Sequence, residues 1–327
     1  FVRPGGIPVR SPETDLRGTL DGNTSATAWR GMHPYRDLLK LINPPEGYVS
    51  NTNSSPDMMY AKSPLHEKDY PAYFGFETGR TNERQRRLIE ILGGNARMTA
   101  DAAKAAVMDE TIPAARNWAA PLHHALGAHE AQSCVGELAR FNGEFSKDSR
   151  AALVHIELRR SLAAQRELFD RLTRDIESRQ LLDPMLQDFL TNGAREACAK
   201  IAQRYGSSDV SLGDVFRTGR GDVDLPIGSG QVPGVATVRG LRFSAAGPQG
   251  IQHMTGGQRA PFLVHFAPEG VRTYAQMLFG VSDDPASPHF TDQARLASDK
   301  LLPEVPLTRT ALTEAGAKPR LLRISNP

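Results

Sequence analysis

Between Ser149 and Gly206 apolar residues return at the spacing of a helix face, and this pattern limits the fold more than any other stretch of the sequence. Val154, Leu158, Leu162, Phe169, Leu172 and Ile176 recur at steps of three, four or seven, with Arg and Glu between them. That is the signature of a helix beginning near Asp148 or Ser149 with one buried side. Asp183-Pro184 reads as the cap and first position of the next helix. This second helix buries Leu186, Phe189, Leu190, Cys198 and Ile201 and stops at Tyr205-Gly206. Helices of this kind require a sizeable core to pack into, and 327 residues are enough to build one.

The flanking sequence differs on either side. Thr81 is placed to cap a helix from Glu83 to Leu92 that stops at Gly93-Gly94, and Thr99 to cap another through Val107 and Met108. Residues 81–206 therefore read as one helical block. Residues 1–80 are rich in Gly, Pro, Asn, Ser and Tyr and read as loops, with a turn at Pro44-Pro45-Glu46-Gly47. Residues 207–327 turn to short strands at Val235 to Phe243, Phe262 to Phe266 and Val271 to Phe279, then to a Pro-punctuated tail with one short helix. Loops, then helices, then strands describe an α+β chain with helices inserted between parts of a sheet.

Composition excludes several functions. Lys plus Arg number 39 and Asp plus Glu 37, a net charge of +2, which leaves no electrostatic footprint for nucleic acid or an anionic membrane. No apolar run approaches the ~20 residues of a spanning helix. Two cysteines exclude a disulfide framework and any multi-cysteine metal site. Cys134 and Cys198 have neither CxxC context nor an evident partner, and read as buried, inert thiols. The opening FVRPGGIPVRSPETDLRG has neither the basic start nor the apolar core of a signal peptide. A chain opening on Phe1 is expected to begin inside a longer one.

Most local motifs have ordinary readings. His123, His124 and His129 lack the spacing of three or four that would put them on one helix face, so they read as surface or core histidines. Arg220-Gly221-Asp222 is a turn with an adhesion-like spelling. The run from Gly228 to Gly234 is Gly-rich without the Lys and helix that phosphate binding needs. Asp283 to Gln293 holds three carboxylates, a His and two prolines in eleven positions. It is either a hard-cation site or, the favoured reading, a rigid turn whose polar groups satisfy one another. In Asn43-Pro-Pro-Glu-Gly-Tyr-Val-Ser-Asn51-Thr-Asn53-Ser-Ser-Pro56, rigid backbone precedes two asparagines that point the same way if the segment is extended. A fixed carboxamide can donate to a developing oxyanion; alternatively, the pair satisfies turn backbone.

The Asn43–Pro56 and Ser287–Gln293 stretches, in this order, together resemble the penicillin acylase (penicillin amidase) family of N-terminal-nucleophile hydrolases. The first is similar to its Asn-Pro-x-x-Gly-aromatic…Asn-x-x-Pro signature, and Arg84-Gln-Arg-Arg87-Leu88-Ile-Glu-Ile91-Leu92 to its Arg-x-x-Arg-Ile-x-x-Leu-Leu helix. Gly280-Val-Ser282 and Ser287-Pro288-His289-Phe290-Thr291-Asp292-Gln293 resemble its closing segments. Asp21-Gly22-x-Thr24-Ser25-Ala26-Thr27-x-Trp29 and Asn51 to Pro56 look closest to the acyl-homoserine-lactone acylase branch. The resemblance implies an αββα four-layer sandwich and amide hydrolysis through an acyl-enzyme. An N-terminal Ser attacks with its own α-amino group as base, and no metal or organic cofactor enters the chemistry.

Carried over by position, the resemblance puts Asn53 on the oxyanion asparagine and Arg84 on the active-site arginine. It assigns Ser287 to Gln293 no catalytic role. The nucleophile should lie well upstream of Asn53, so this chain is expected to be the C-terminal part of the large subunit and inactive alone. Its expected partners are the preceding part of the same precursor and a small acyl amide: an N-acyl-homoserine lactone first, a penicillin-type amide second. Several family members bind structural calcium through an Asp shortly before the arginine. Here Tyr73-Phe74 occupy that neighbourhood, and Asp69 is the nearest carboxylate. The resemblance also implies export, typically to the periplasm. The competing expectation is a non-catalytic homologue, or a helical interaction module built on residues 81–206.

Overall fold

The computed structural model describes residues 6–16, 18–77, 82–94, 97–126, 130, 132–232 and 235–318. The chain divides into two compact units, Phe1–Ala96 and Arg97–Pro327. The division falls inside the stretch expected as one helical block, because the first helix, α1 (Glu83–Gly93), belongs with the loop-rich segment.

The first unit has little regular structure before α1. Single 3-10 turns, such as Tyr35–Asp37, Pro56–Met58 and Ala72–Phe74, wrap a small core of Leu39, Leu41, Met59, Tyr60, Leu65 and Phe74. Tyr48, Tyr70, Tyr73 and Phe76 pack against that core. Aromatic side chains bury a large area per residue, so a few of them can order a segment short of helices and strands.

The second unit begins with α2 (Ala100–Val107), capped by Thr99, which accepts from the Ala102 N–H at 3.1 Å. Short helices α3 (Pro113–Arg116), α4 (Ala119–Ala125) and α5 (Cys134–Leu138) follow. The long periodic stretch then folds as two helices rather than one. These are α6 (Arg150–Leu162), capped by Ser149, and α7 (Arg166–Glu177). No Gly or Pro marks the break; packing places it. Turning the chain at residues 163–165 brings Phe169 beside Trp118 and under the Arg159 guanidinium, at 6.1 and 5.1 Å. Asp183 caps α8 (Pro184–Tyr205), accepting from Leu186 N–H at 2.9 Å, and Gly206 ends it at φ 76°. Leu158, Leu172, Leu186, Leu190 and Ala194 are fully buried in the resulting core. Each such leucine contributes about 1.5–3 kcal/mol relative to exposure.

Cys134 on α5 and Cys198 on α8 form a disulfide, Cα–Cα 6.1 Å. This corrects the expectation of inert thiols: a separation of 64 residues carries no information about spatial approach.

After α9 (Leu212–Val215) the chain is extended. Strands β1 (Phe216–Thr218), β2 (Leu225–Pro226), β5 (Arg242–Phe243) and β6 (Gln252–Gly256) form a sheet in the order β2-β1-β6-β5, with β1 and β6 parallel. β3 (Gln231–Val232) pairs with β4 (Val235–Ala236). The strand expected over Val235 to Phe243 is thus two short ones, separated by a turn in which Gly240 N–H donates to Thr237 O. The same turn sends Arg239 inward to Glu110, 2.6 Å away, with both side chains almost fully buried. Gly228 and Gly230 lie so close to Glu110 and Phe145 that a Cβ at either would collide, which accounts for the glycines there without a phosphate. β7 (Phe262–Ala267), β8 (Gly270–Ala275) and β9 (Glu304–Val305) form an antiparallel sheet. Helices α10 (Ala294–Ser298) and α11 (Arg309–Glu314) complete the described chain.

Candidate active site

Proline and glycine shape the approach to Asn53. The turn at residues 44–47 closes with Gly47 N–H donating to Pro44 O at 3.0 Å. Tyr48 then sets its ring edge-on to Tyr60, 6.4 Å between centroids, which anchors the segment on the first unit's core. Ser50 N–H donates to Met59 O at 3.0 Å and closes residues 50–59 into a loop.

Within that loop Asn53 adopts φ 63°, and its N–H donates to Asn51 Oδ1 at 2.9 Å. The expectation of an extended segment is therefore corrected. Asn51 serves the turn, because Asn readily tolerates the left-handed region and bonds nearby backbone. The Asn53 side chain is not used by the turn. It is exposed, and its Oδ1 accepts from Arg84 Nη2 at 3.2 Å. With the oxygen so engaged, the NH2 end has no acceptor among the described residues.

Arg84 reaches this position from the first turn of α1. The expected cap Thr81 lies outside the described residues; Asn82 caps the helix, accepting from Gln85 N–H at 3.1 Å. Arg84 Nη2 also donates to Thr52 O. Half-burial of the guanidinium lowers its pKa, yet so basic a group stays charged at neutral pH. The structure thus brings Asn53 and Arg84 together.

Sequence reasoning missed three residues beside them. Gln85 is fully buried, and its Nε2 lies within donating distance of Ser50 Oγ (2.6 Å), Met58 O (2.7 Å) and Ser50 O (3.2 Å). Thr52 Oγ1 lies 3.2 Å from Gln85 Oε1 and 3.3 Å from Asn82 Oδ1. Asn82-x-x-Gln85 has the spacing of a capping box, but the glutamine turns to the loop instead of back to its own helix. Nothing in a sequence flanked by Arg84 and Arg86 signals burial there.

The Asp283–Gln293 stretch, the Arg-Gly-Asp tripeptide and the histidine group lie in the second unit. Asp283 to Gln293 is a turn whose polar groups are met partly from within it and partly by residues outside it. Asp284 Oδ1 accepts from Ala286 N–H at 2.9 Å, His289 Nδ1 pairs with Asp292 Oδ2 at 2.8 Å, and Gln293 Oε1 accepts from Met277 N–H at 2.7 Å. Arg220 of the Arg-Gly-Asp tripeptide locks this turn by donating to Phe290 O and Ser282 O, its guanidinium 4.0 Å from the Phe290 ring centroid. His123 and His124 are exposed; His129 lies outside the described residues. A cleft of about 750 Å3 runs over Glu110, whose carboxyl burial pushes up while Arg239 and Lys300 pull it down. None of the residues expected from the sequence to be catalytic lines it.

Asp69 is exposed on a single 3-10 turn. Among the described residues no three His, Cys, Asp or Glu side chains converge as metal ligands would.

The sequence profile of the penicillin amidase family matches residues 1–314, nearly the whole chain. The chain belongs to that family. Among curated proteins it is 27% identical to the acyl-homoserine lactone acylase PvdQ of Pseudomonas putida over 315 residues, which is 90% of this chain and 39% of that protein. It is 33% identical to penicillin G acylase of Escherichia coli over 105 residues, 32% of this chain and 11% of that protein. The thermostable penicillin G acylase of Alcaligenes faecalis aligns in structure with a TM-score of 0.54 at 16% identity, over 100% of this chain and 65% of that one. The mixed helix and sheet of the chain is thus that of a penicillin acylase, an Ntn-hydrolase fold. The chain spans 39% of the length of the PvdQ relative that it matches along most of its own.

Proposed function

We propose that the complete protein hydrolyses linear amides bearing an acyl side chain, and that this chain supplies the oxyanion donor. The observation that carries the reading is the orientation of Asn53. Its oxygen accepts from Arg84, which leaves the NH2 of this exposed residue without an acceptor among the described residues. A neutral donor fixed in this way meets negative charge without reorganising as the charge develops.

In this reading an N-terminal serine outside this chain attacks the amide carbonyl, and its α-amino group takes the hydroxyl proton. Asn53 and a backbone N–H hold the oxyanion. Its collapse breaks the C–N bond as the α-ammonium group returns its proton to the leaving nitrogen, and water then attacks the acyl-enzyme, releasing the acid and restoring the serine hydroxyl. Arg84 keeps the carboxamide turned outward. N-acyl-homoserine lactones are the first substrate class, because similarity to PvdQ runs along 90% of the chain; penicillin-type amides come second. The chain's partner is the preceding part of its own precursor. Export to the periplasm accords with the Cys134–Cys198 bridge, since such bonds persist in oxidising compartments.

The test uses the complete processed protein and a panel of acyl amides. Asn53→Ala is expected to fold and mature, yet lose about a hundredfold or more in kcat, ~3 kcal/mol of transition-state stabilisation. Arg84→Ala is expected to weaken turnover in the same assay. Hydrolysis by Asn53→Ala at the parent rate removes Asn53 from the site.

A further inference from the structure

Burying a carboxamide is unfavourable unless its donors and acceptor are met. For Gln85, the loop that carries Asn53 meets them. Nε2 reaches Ser50 at the start of the loop and Met58 O at its end, and Oε1 lies by the Thr52 hydroxyl in the middle. These three anchors bracket the left-handed turn at Asn53. Arg84, the preceding residue on the same helix, holds that turn from its exposed side through Thr52 O and Asn53 Oδ1. The backbone of α1 fixes the two side chains relative to one another, so one helix turn grips the loop from within and from without. Core aliphatic contacts could hold such a loop together. They would not fix the height of its tip as directional bonds to both ends do.

We infer that Gln85 is a positioning residue that sets where the Asn53 carboxamide meets the oxyanion, an inference that rests on the reading of Asn53 given above. A leucine at 85 fills much the same volume but leaves Ser50 O and Met58 O without their donor. The loop then relaxes and displaces the tip. Substrate binding away from the reacting carbonyl is untouched, so the loss belongs in kcat and not in KM.

The experiment is a double-mutant cycle on the complete processed protein, with steady-state kinetics on one acyl amide. Gln85→Leu is expected to lower kcat roughly 10- to 100-fold, as a misplacement near 1 Å does, with KM within about twofold. In the Asn53→Ala background the same change is expected to lower kcat by less than about threefold, because the group it positions is gone. Equal losses in both backgrounds would show Gln85 to be a structural residue only and overturn the inference, leaving the role of Asn53 standing. Parent-rate turnover by Asn53→Ala alone overturns both. If Gln85→Leu does not mature, Thr52→Val runs the same cycle. It removes only the hydroxyl facing Gln85 Oε1, and its expected loss, several-fold, must likewise vanish without Asn53.

Discussion

His155, on α6, is fully buried, and neither ring nitrogen has a hydrogen-bond partner among the described residues. Its ring lies among those of Trp118, Phe141 and Phe145, with centroids 5.4–5.9 Å away. Burial, with Arg159 adding repulsion, holds its pKa well below the ordinary 6.5. The folded state therefore keeps the ring neutral at a pH where the unfolded chain protonates it. Stability tied to this residue is complete above about pH 6.5 and is lost as pH falls below that value, by up to ~1.4 kcal/mol per unit, until the folded ring itself protonates. His155→Leu, close in volume, is expected to remove that slope. Denaturant unfolding of parent and variant at pH 7.5 and 5.5 checks it, and parallel behaviour at both would show that the ring protonates in place. Legibility at this scale depended on locality. Thr99 and Asp183 were readable as caps because each bonds an N–H three residues on, and the start of α6 was readable to within Asp148 or Ser149, of which Ser149 is the cap. Asn53 was readable as a residue type. Its turn was not, because φ at one position depends on the loop closure between Ser50 and Met59. Gln85 was invisible, since a buried glutamine differs from an exposed one only by what surrounds it.

Among elements, the termini of α8 were legible and the break between α6 and α7 was not. Caps are local chemistry, whereas that break exists because Phe169 packs back on Trp118 and Arg159. The strand over residues 235–243 was misread for a similar reason: burial of Arg239 against Glu110 takes precedence over local β propensity. The α6–α8 crossing offers a test of how tightly these elements meet. Gly193 faces α6, and a Cβ there would stand 2.5 Å from Leu162 Cδ2 and 3.2 Å from Leu158 Cδ1. Gly→Ala inside a helix ordinarily gains up to ~1 kcal/mol, while overpacking a well-filled core costs about 1–3 kcal/mol. Both leucines are buried and cannot swing into solvent, so the clash should win. Gly193→Ala is expected to destabilise by about 1 kcal/mol or more. A gain in the midpoint of chemical unfolding would show that α6 yields.

At the scale of the whole molecule, each unit has its own core, and the second carries a covalent tie that the first lacks among its described residues. The Cys134–Cys198 bridge encloses α6, α7 and most of α8 in one loop with a sequence separation of 64. A closed loop of that length removes about 4 kcal/mol of chain entropy from the unfolded state on the simplest account. That is a large share of the 5–15 kcal/mol that keeps a typical domain folded. The bonded helices also pack directly, so breaking the bridge should leave the native contacts in place and act on the unfolded chain. The expected outcome is a lower urea midpoint for the parent in the presence of reductant, matched without reductant by the Cys134→Ala/Cys198→Ala variant. The variant itself should not respond to reductant. Thiol labelling of the denatured parent supplies the control: with the bridge intact no thiol reacts, and after reduction two do. Two reactive thiols before reduction would mean that the pair is not joined in the protein as made, which would also remove the chain's own support for an oxidising compartment.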